Sequence, residues 1–189
     1  VYTISSHLLT IGSDSGEDKV ITETSDDLPW DDLRVYNSSN VGRALIQSIN
    51  TDGAPILESP AGWFQGYAYL TSFDGTYLSV TGAEDLSDMF ADNPRLTSIT
   101  NVDGWDTSSA TNMSGMFAND YGLQNNDALT SWDTSSVEDF SNMFSMATSN
   151  SFTTQLTSLD LTGWDMTNAN TVSGMLSGCK ALTSLLLDK

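Results

Sequence analysis

The sequence predicts an α/β repeat fold, in which stacked coils form a solenoid behind a β-rich N-terminal cap. The first observation is repetition: WDTSSATNMSGMF at 105–117 returns as WDTSSVEDFSNMF at 132–144 and, more loosely, as WDMTNANTVSGML at 164–176. The second is the spacing of these copies, because periods of about 20 to 50 residues are typical of solenoids. The third is that helix-like and strand-like apolar patterns both occur within the repeated unit.

The copies align on a closing pair of apolar residues. The pairs are Met89-Phe90, Met116-Phe117, Met143-Phe144 and Met175-Leu176. The segment LSVTGAEDLSDMF at 78–90 fits the same frame, with leucine in the tryptophan position. The array is therefore expected to cover residues 63–189 as about four and a half coils, truncated at the C-terminus.

Each element of a coil has its own apolar pattern. Ala110, Met113, Met116 and Phe117 have the spacing of one inward face of a short helix or 3-10 segment. LTSLDL at 156–161 has the L-x-x-L-x-L pattern of a short strand. Such one-sided elements bury their apolar sides by stacking on neighbouring coils, which favours a leucine-rich-repeat-like solenoid.

Two coils are irregular. In the second, either Leu123 aligns with Leu96 or LTSW at 129–132 forms the strand, and the sequence leaves both alternatives open. The third carries extra residues in SMATSNSFTTQ at 145–155, which we expect to bulge outward. Insertions in one loop often mark a functional face, although we favour neutral surface variation here.

Residues 1–62 do not follow the period and are expected to form the β-rich cap. VYTISSHLLTIGSD at 1–14 predicts a hairpin or strand pair, and the apolar run at 41–49 ends before an Asp52-Gly53 turn. A cap of this kind would cover the open end of the array. No comparable cap follows LTSLLLDK, so we expect a piece of a longer protein.

Composition limits the possible partners. With 189 residues, of which 39% are hydrophobic, the chain can bury a core. Its 25 acidic and 6 basic residues give a formal charge of −19, which argues against nucleic acid as a partner. No apolar run approaches the roughly 18 residues of a membrane span, so we expect no direct membrane insertion of this fragment.

Two columns of aligned residues are candidates for binding. Trp105, Trp132 and Trp164 could stack on sugar rings, but core packing is the reading we favour. The second column is the set of weak metal candidates Asp106, Asp133 and Asp165. Their favoured role is to close Asx turns or to cap the helical segment that follows, so we predict no metal ion.

Catalytic residues are not expected. His7 is the single histidine and Cys179 the single cysteine, and the repeat places them far apart. The segment GSDSGEDK lacks the spacing of a phosphate-binding loop. We therefore predict a protein that is not an enzyme and has no cofactor.

The units WDTSSATNMSGMF, LTSLDLTGWDMT and SGCKALTSLLL resemble the BspA-type leucine-rich repeats of bacterial surface proteins, over roughly residues 63–189. The resemblance implies a secreted protein at the cell surface that adheres to host or neighbouring-cell glycoprotein, mucin or matrix protein. It implies no catalytic residues.

A ligand-binding face is expected on the outward positions of the strands, because solenoids use such extended faces for partners. These positions are Ser98, Thr100, Ser158, Asp160 and Ser184. The expected function is that of a non-catalytic adhesion module. The alternative is a structural stalk or spacer that projects another domain.

Overall fold

A computed structural model of the chain describes residues 8–13, 46–52, 60–76, 78–149 and 151–188. The strands are β1 (Leu8–Ser13), β2 (Ile46–Asp52), β3 (Ser72–Asp74), β4 (Ser98–Thr100), β5 (Ser158–Leu161) and β6 (Ser184–Leu187). Within these described ranges the one helix is a 3-10 helix, Asp127–Ser131.

The strands form two small sheets. The first has the order β1-β2-β3-β4, in which β1 is antiparallel to β2 and the other neighbours are parallel. The second consists of the parallel pair β5 and β6. β1 and β2 fall within the expected N-terminal cap, and most of the rest of that cap, including His7, lies outside the described residues.

The predicted α/β, leucine-rich-repeat-like solenoid is wrong. The described residues form β structure and coil with almost no helix. The physical reason lies in the turn that was expected to be helical, where the N–H of Met113 donates to the carbonyl of Asp139 at 2.9 Å and that of Phe117 to Met143 at 2.8 Å. Because these groups bond to the following copy, they are not available to the carbonyls four residues back that an α-helix requires.

The side chains expected to face inward do so in spite of this different backbone. Ala110, Met113, Met116 and Phe117 are fully buried. Phe117 stacks on Phe90 at 5.6 Å between ring centroids and on Phe144 at 5.4 Å. The apolar spacing therefore identified the buried face correctly, although it did not identify the hydrogen-bond pattern.

The second copy follows the alignment that pairs Leu123 with Leu96. Both leucines are buried, and their N–H groups donate to the carbonyls of Asp120 and Asn93, three residues earlier in each copy. Residues 129–132 do not form a strand, because most of them belong to the 3-10 helix. The side chain of Asn126 caps this helix by accepting the N–H of Ala128 at 3.1 Å.

Candidate functional site

The tryptophan column belongs to the core. Trp105, Trp132 and Trp164 are 6%, 1% and 7% exposed. The indole Nε1 of Trp132 donates to the carbonyl of Val102 at 2.8 Å, and that of Trp164 donates to Leu129 at 2.7 Å. These rings are therefore enclosed and their polar atoms are bonded, which leaves no aromatic strip for sugar rings.

The aspartate column forms Asx turns. Asp106 and Asp133 each accept the backbone N–H and the hydroxyl of the serine two residues later, and Asp165 accepts the N–H of Thr167 at 2.9 Å. Hydrogen bonds from Ser135 and Thr167 lower the pKa of Asp133 and Asp165. In the part of the chain that the structure describes, no cluster of three histidine, cysteine or acidic side chains could hold a metal ion.

The thiol of Cys179 is bonded within the fold. It is half-buried and donates to the carbonyl of Phe144 at 3.0 Å, and burial raises its pKa. A raised pKa disfavours the thiolate that a nucleophile needs.

The expected ligand-binding strip is divided between the two sheets. Ser98 and Thr100 lie on β4, whereas Ser158 and Asp160 lie on β5 and Ser184 lies on β6. Asp160 accepts the N–H and hydroxyl of Thr162, which lower its pKa. The backbone ladder that would join all five positions is therefore interrupted between β4 and β5, and their role in binding stays a prediction.

Two asparagine side chains bridge the gap between β4 and β5. The Nδ2 of Asn126 donates to the carbonyl of Ile99 on β4 at 3.1 Å. On the other side, the Oδ1 of Asn125 accepts the N–H of Ser158 on β5 at 2.8 Å. Between β4 and β5, hydrogen bonds of side-chain amides thus replace the backbone hydrogen bonds that an intervening strand would make. An opening in the surface lies beside these asparagines.

The opening is a polar groove of about 180 Å³, which we call the amide groove. It is lined by Gln124, Asn125, Gln155 and Thr157, all of which are exposed and uncharged. Asn125 Nδ2, Gln155 Oε1 and the whole amide of Gln124 have no hydrogen-bond partner among the described residues. The groove therefore offers unused donors and acceptors without a charge.

The insertion of the third copy forms one wall of this region. Phe152, within the insertion, stacks on Tyr121 at 5.6 Å between ring centroids. The N–H of Gln155 donates to the carbonyl of Tyr121 at 2.9 Å. Phe152 and Gln155 are thus attached to the second copy, which positions Gln155 beside Gln124 and Asn125.

Acidic and uncharged side chains alternate along two other columns. One column, joined by parallel bridges, runs Asp85, Asn112, Asp139 and Thr171. Its neighbour, joined by backbone hydrogen bonds, runs Glu84, Thr111, Glu138 and Asn170. Because paired strands lie about 4.8 Å apart, alternation keeps like charges about 10 Å apart, a distance at which salt screens much of their repulsion.

The sequence did not identify the amide groove. The available signal was the run QNN at 124–126, which interrupts the leucine pattern where a strand was expected, together with the insertion after it. Neither signal shows that the two segments come together, since that depends on the contacts of Tyr121 with Phe152 and Gln155.

Comparison with known proteins identifies the family. Residues 84–187, which are more than half of the chain, match the family described as Mycoplasma protein of unknown function, DUF285. The chain belongs to this family, which is related to the BspA-like proteins. No curated protein and no solved structure gives a significant match. Among the residues that the structure describes, no helix has the length and apolarity of a membrane span.

Proposed function

We propose that the chain is a non-catalytic binding module of a bacterial cell-surface protein. In this proposal it adheres to host or neighbouring-cell glycoprotein, mucin or matrix protein, outside the cell. The observation that carries the proposal is the amide groove. It presents polar groups that bond to no described residue, and among them is the whole side-chain amide of Gln124. The family and its relation to the BspA-like proteins support the same reading.

The chemistry of the groove favours uncharged hydroxyl groups as its ligands. An amide side chain presents both donors and an acceptor, which matches a hydroxyl that can donate and accept. The chain has a formal charge of −19, so anionic groups are repelled over the rest of its surface. Neutral sugar hydroxyls of a glycoprotein therefore fit the groove better than sulfated or sialylated groups.

The test is a binding screen on arrays of neutral glycans, mucins and matrix proteins, with Gln124→Ala as the variant. We expect Gln124→Ala to weaken binding about threefold to tenfold, the effect of about one net hydrogen bond. The fold should be unchanged, because the Gln124 side chain bonds to no described residue. Asn170→Ala is the matched control, since it removes an exposed amide that bonds Glu138 and does not line the groove.

Two other outcomes would count against this proposal. If Gln124→Ala bound its target as tightly as the unchanged chain, the groove would not be the contact. If the chain bound nothing while a neighbouring domain of the full-length protein did bind, the structural stalk or spacer would be favoured instead.

A further inference from the structure

Asp120 is a carboxyl group with an unusual environment. Its side chain is 0% exposed. The Oδ1 atom accepts the backbone N–H of Asn93 at 2.8 Å, whereas Oδ2 is buried without a hydrogen-bond partner in the described structure. An ionised carboxylate with one unpaired oxygen is strongly destabilising in such a place.

The equivalent residues of the neighbouring copies indicate a hydrogen-bond partner for the unpaired oxygen. Asn93 and Cys179 occupy the position of Asp120 in their own copies, three residues after the closing pair. Asn93 Nδ2 donates to the carbonyl of Phe64 at 2.8 Å and also to that of Phe90. Cys179 donates to the carbonyl of Phe144. In both cases the side chain supplies a donor to the carbonyl of a phenylalanine in the preceding copy.

The corresponding carbonyl for Asp120 is that of Phe90. A carboxylate is only an acceptor, but a protonated carboxyl group carries one O–H donor. We infer that Asp120 is held in its neutral, protonated form, with Oδ1 accepting from Asn93 and Oδ2–H donating to the carbonyl oxygen of Phe90. It thereby performs the role that an asparagine performs one copy earlier.

The surrounding charges agree with this geometry. Burial raises the pKa of Asp120 well above its usual range, the N–H of Asn93 lowers it, and the carboxylate of Asp92 raises it further. Tyr121, the next residue, has a pKa raised by burial and by the same Asp92. Within the described ranges the basic side chains are Arg95 and Lys180, and the guanidinium of Arg95 lies 4.5 Å from the ring of Tyr69.

The consequence is that the contribution of Asp120 to the free energy of unfolding grows as the medium becomes more acidic. In the unfolded chain Asp120 should titrate near an ordinary pKa of about 3.9. Because its pKa is higher in the folded chain, folding takes up a proton between the two values. The stabilisation that comes from protonating Asp120 is complete below the pKa of the unfolded chain and is lost as the pH rises through the pKa of the folded chain.

Two measurements test the inference. NMR of the Asp120 side-chain carboxyl carbon in the unchanged protein should show a protonated form that persists to a pH at which exposed aspartates are already ionised. Urea unfolding of Asp120→Asn should give a higher midpoint than the unchanged protein at about pH 8, with a difference that shrinks toward about pH 4. Asp139→Asn is the matched control, since its counterpart in the preceding copy is Asn112, and it should show no such gain.

The inference would be overturned by an Asp120 carboxyl carbon that titrates with the exposed aspartates. It would also be overturned by an Asp120→Asn protein that folds but has the same midpoint difference at every pH. The NMR measurement needs no variant, so it decides the question even if Asp120→Asn does not fold.

Discussion

Phe117→Ala is expected to lower the free energy of unfolding by about 3 to 5 kcal/mol, the usual cost of removing a buried phenylalanine. Phe117 is fully buried, and its ring stacks on Phe90, Phe144 and Trp132. Removal of the ring opens a cavity in the middle of a continuous aromatic stack. Urea unfolding monitored by tryptophan fluorescence measures the change.

Tyr69→Ala is the control for this prediction. Tyr69 is 40% exposed and lies beside Arg95, so its removal should cost less than about 1 kcal/mol. Equal losses for the two variants would contradict the assignment of Phe117 to the centre of the core.

Gly178→Ala is expected to destabilise the chain by about 3 to 4 kcal/mol, through backbone strain and a direct clash. Gly178 has a φ of +77°, and a Cβ atom there would lie 1.9 Å from the carbonyl oxygen of Met146. That oxygen belongs to the backbone of the preceding copy, so the clash cannot be relieved by a rotamer change. The measurement is urea unfolding together with hydrogen exchange at the N–H of Cys179, which should become faster.

Gly82→Ala separates the two contributions. Gly82 has a φ of +79° but no atom within 4 Å of an added Cβ, so only the left-handed conformation opposes alanine, at about 1 to 2 kcal/mol. If Gly82→Ala and Gly178→Ala had the same effect, the close approach of Gly178 to Met146 would be contradicted.

The sequence predicted burial better than it predicted backbone structure. The apolar spacing placed Met113 and Met116 in the core, the repeat alignment placed Trp132 there, and all three are buried. It could not distinguish a helix from a turn whose N–H groups bond to the next copy, because both arrangements bury every third or fourth residue. The helical expectation failed where hydrogen bonds between copies replaced hydrogen bonds within a helix.

The candidate sites show the same division. The Asx turns at Asp106 and Asp133 follow from a local pattern of aspartate and serine, and the structure contains them. The amide groove depends on Gln124 and Gln155, which are brought together where the insertion of the third copy packs against Tyr121. Sequence patterns within one segment cannot predict that Gln124 and Gln155 lie close together, since their proximity is set by packing between segments that are distant in sequence.

The alternation along the column of Asp85, Asn112 and Asp139 limits how many copies such a chain can gain or lose at once. Removing the single copy from Ala91 to Phe117 would place Asp85 directly beside Asp139, with two carboxylates about 4.8 Å apart. Glu84 and Glu138 would come together in the neighbouring column at the same time. Removing or inserting two copies would preserve the alternation. Two copies are therefore the unit that can be gained or lost in this part of the molecule without bringing two carboxylates together.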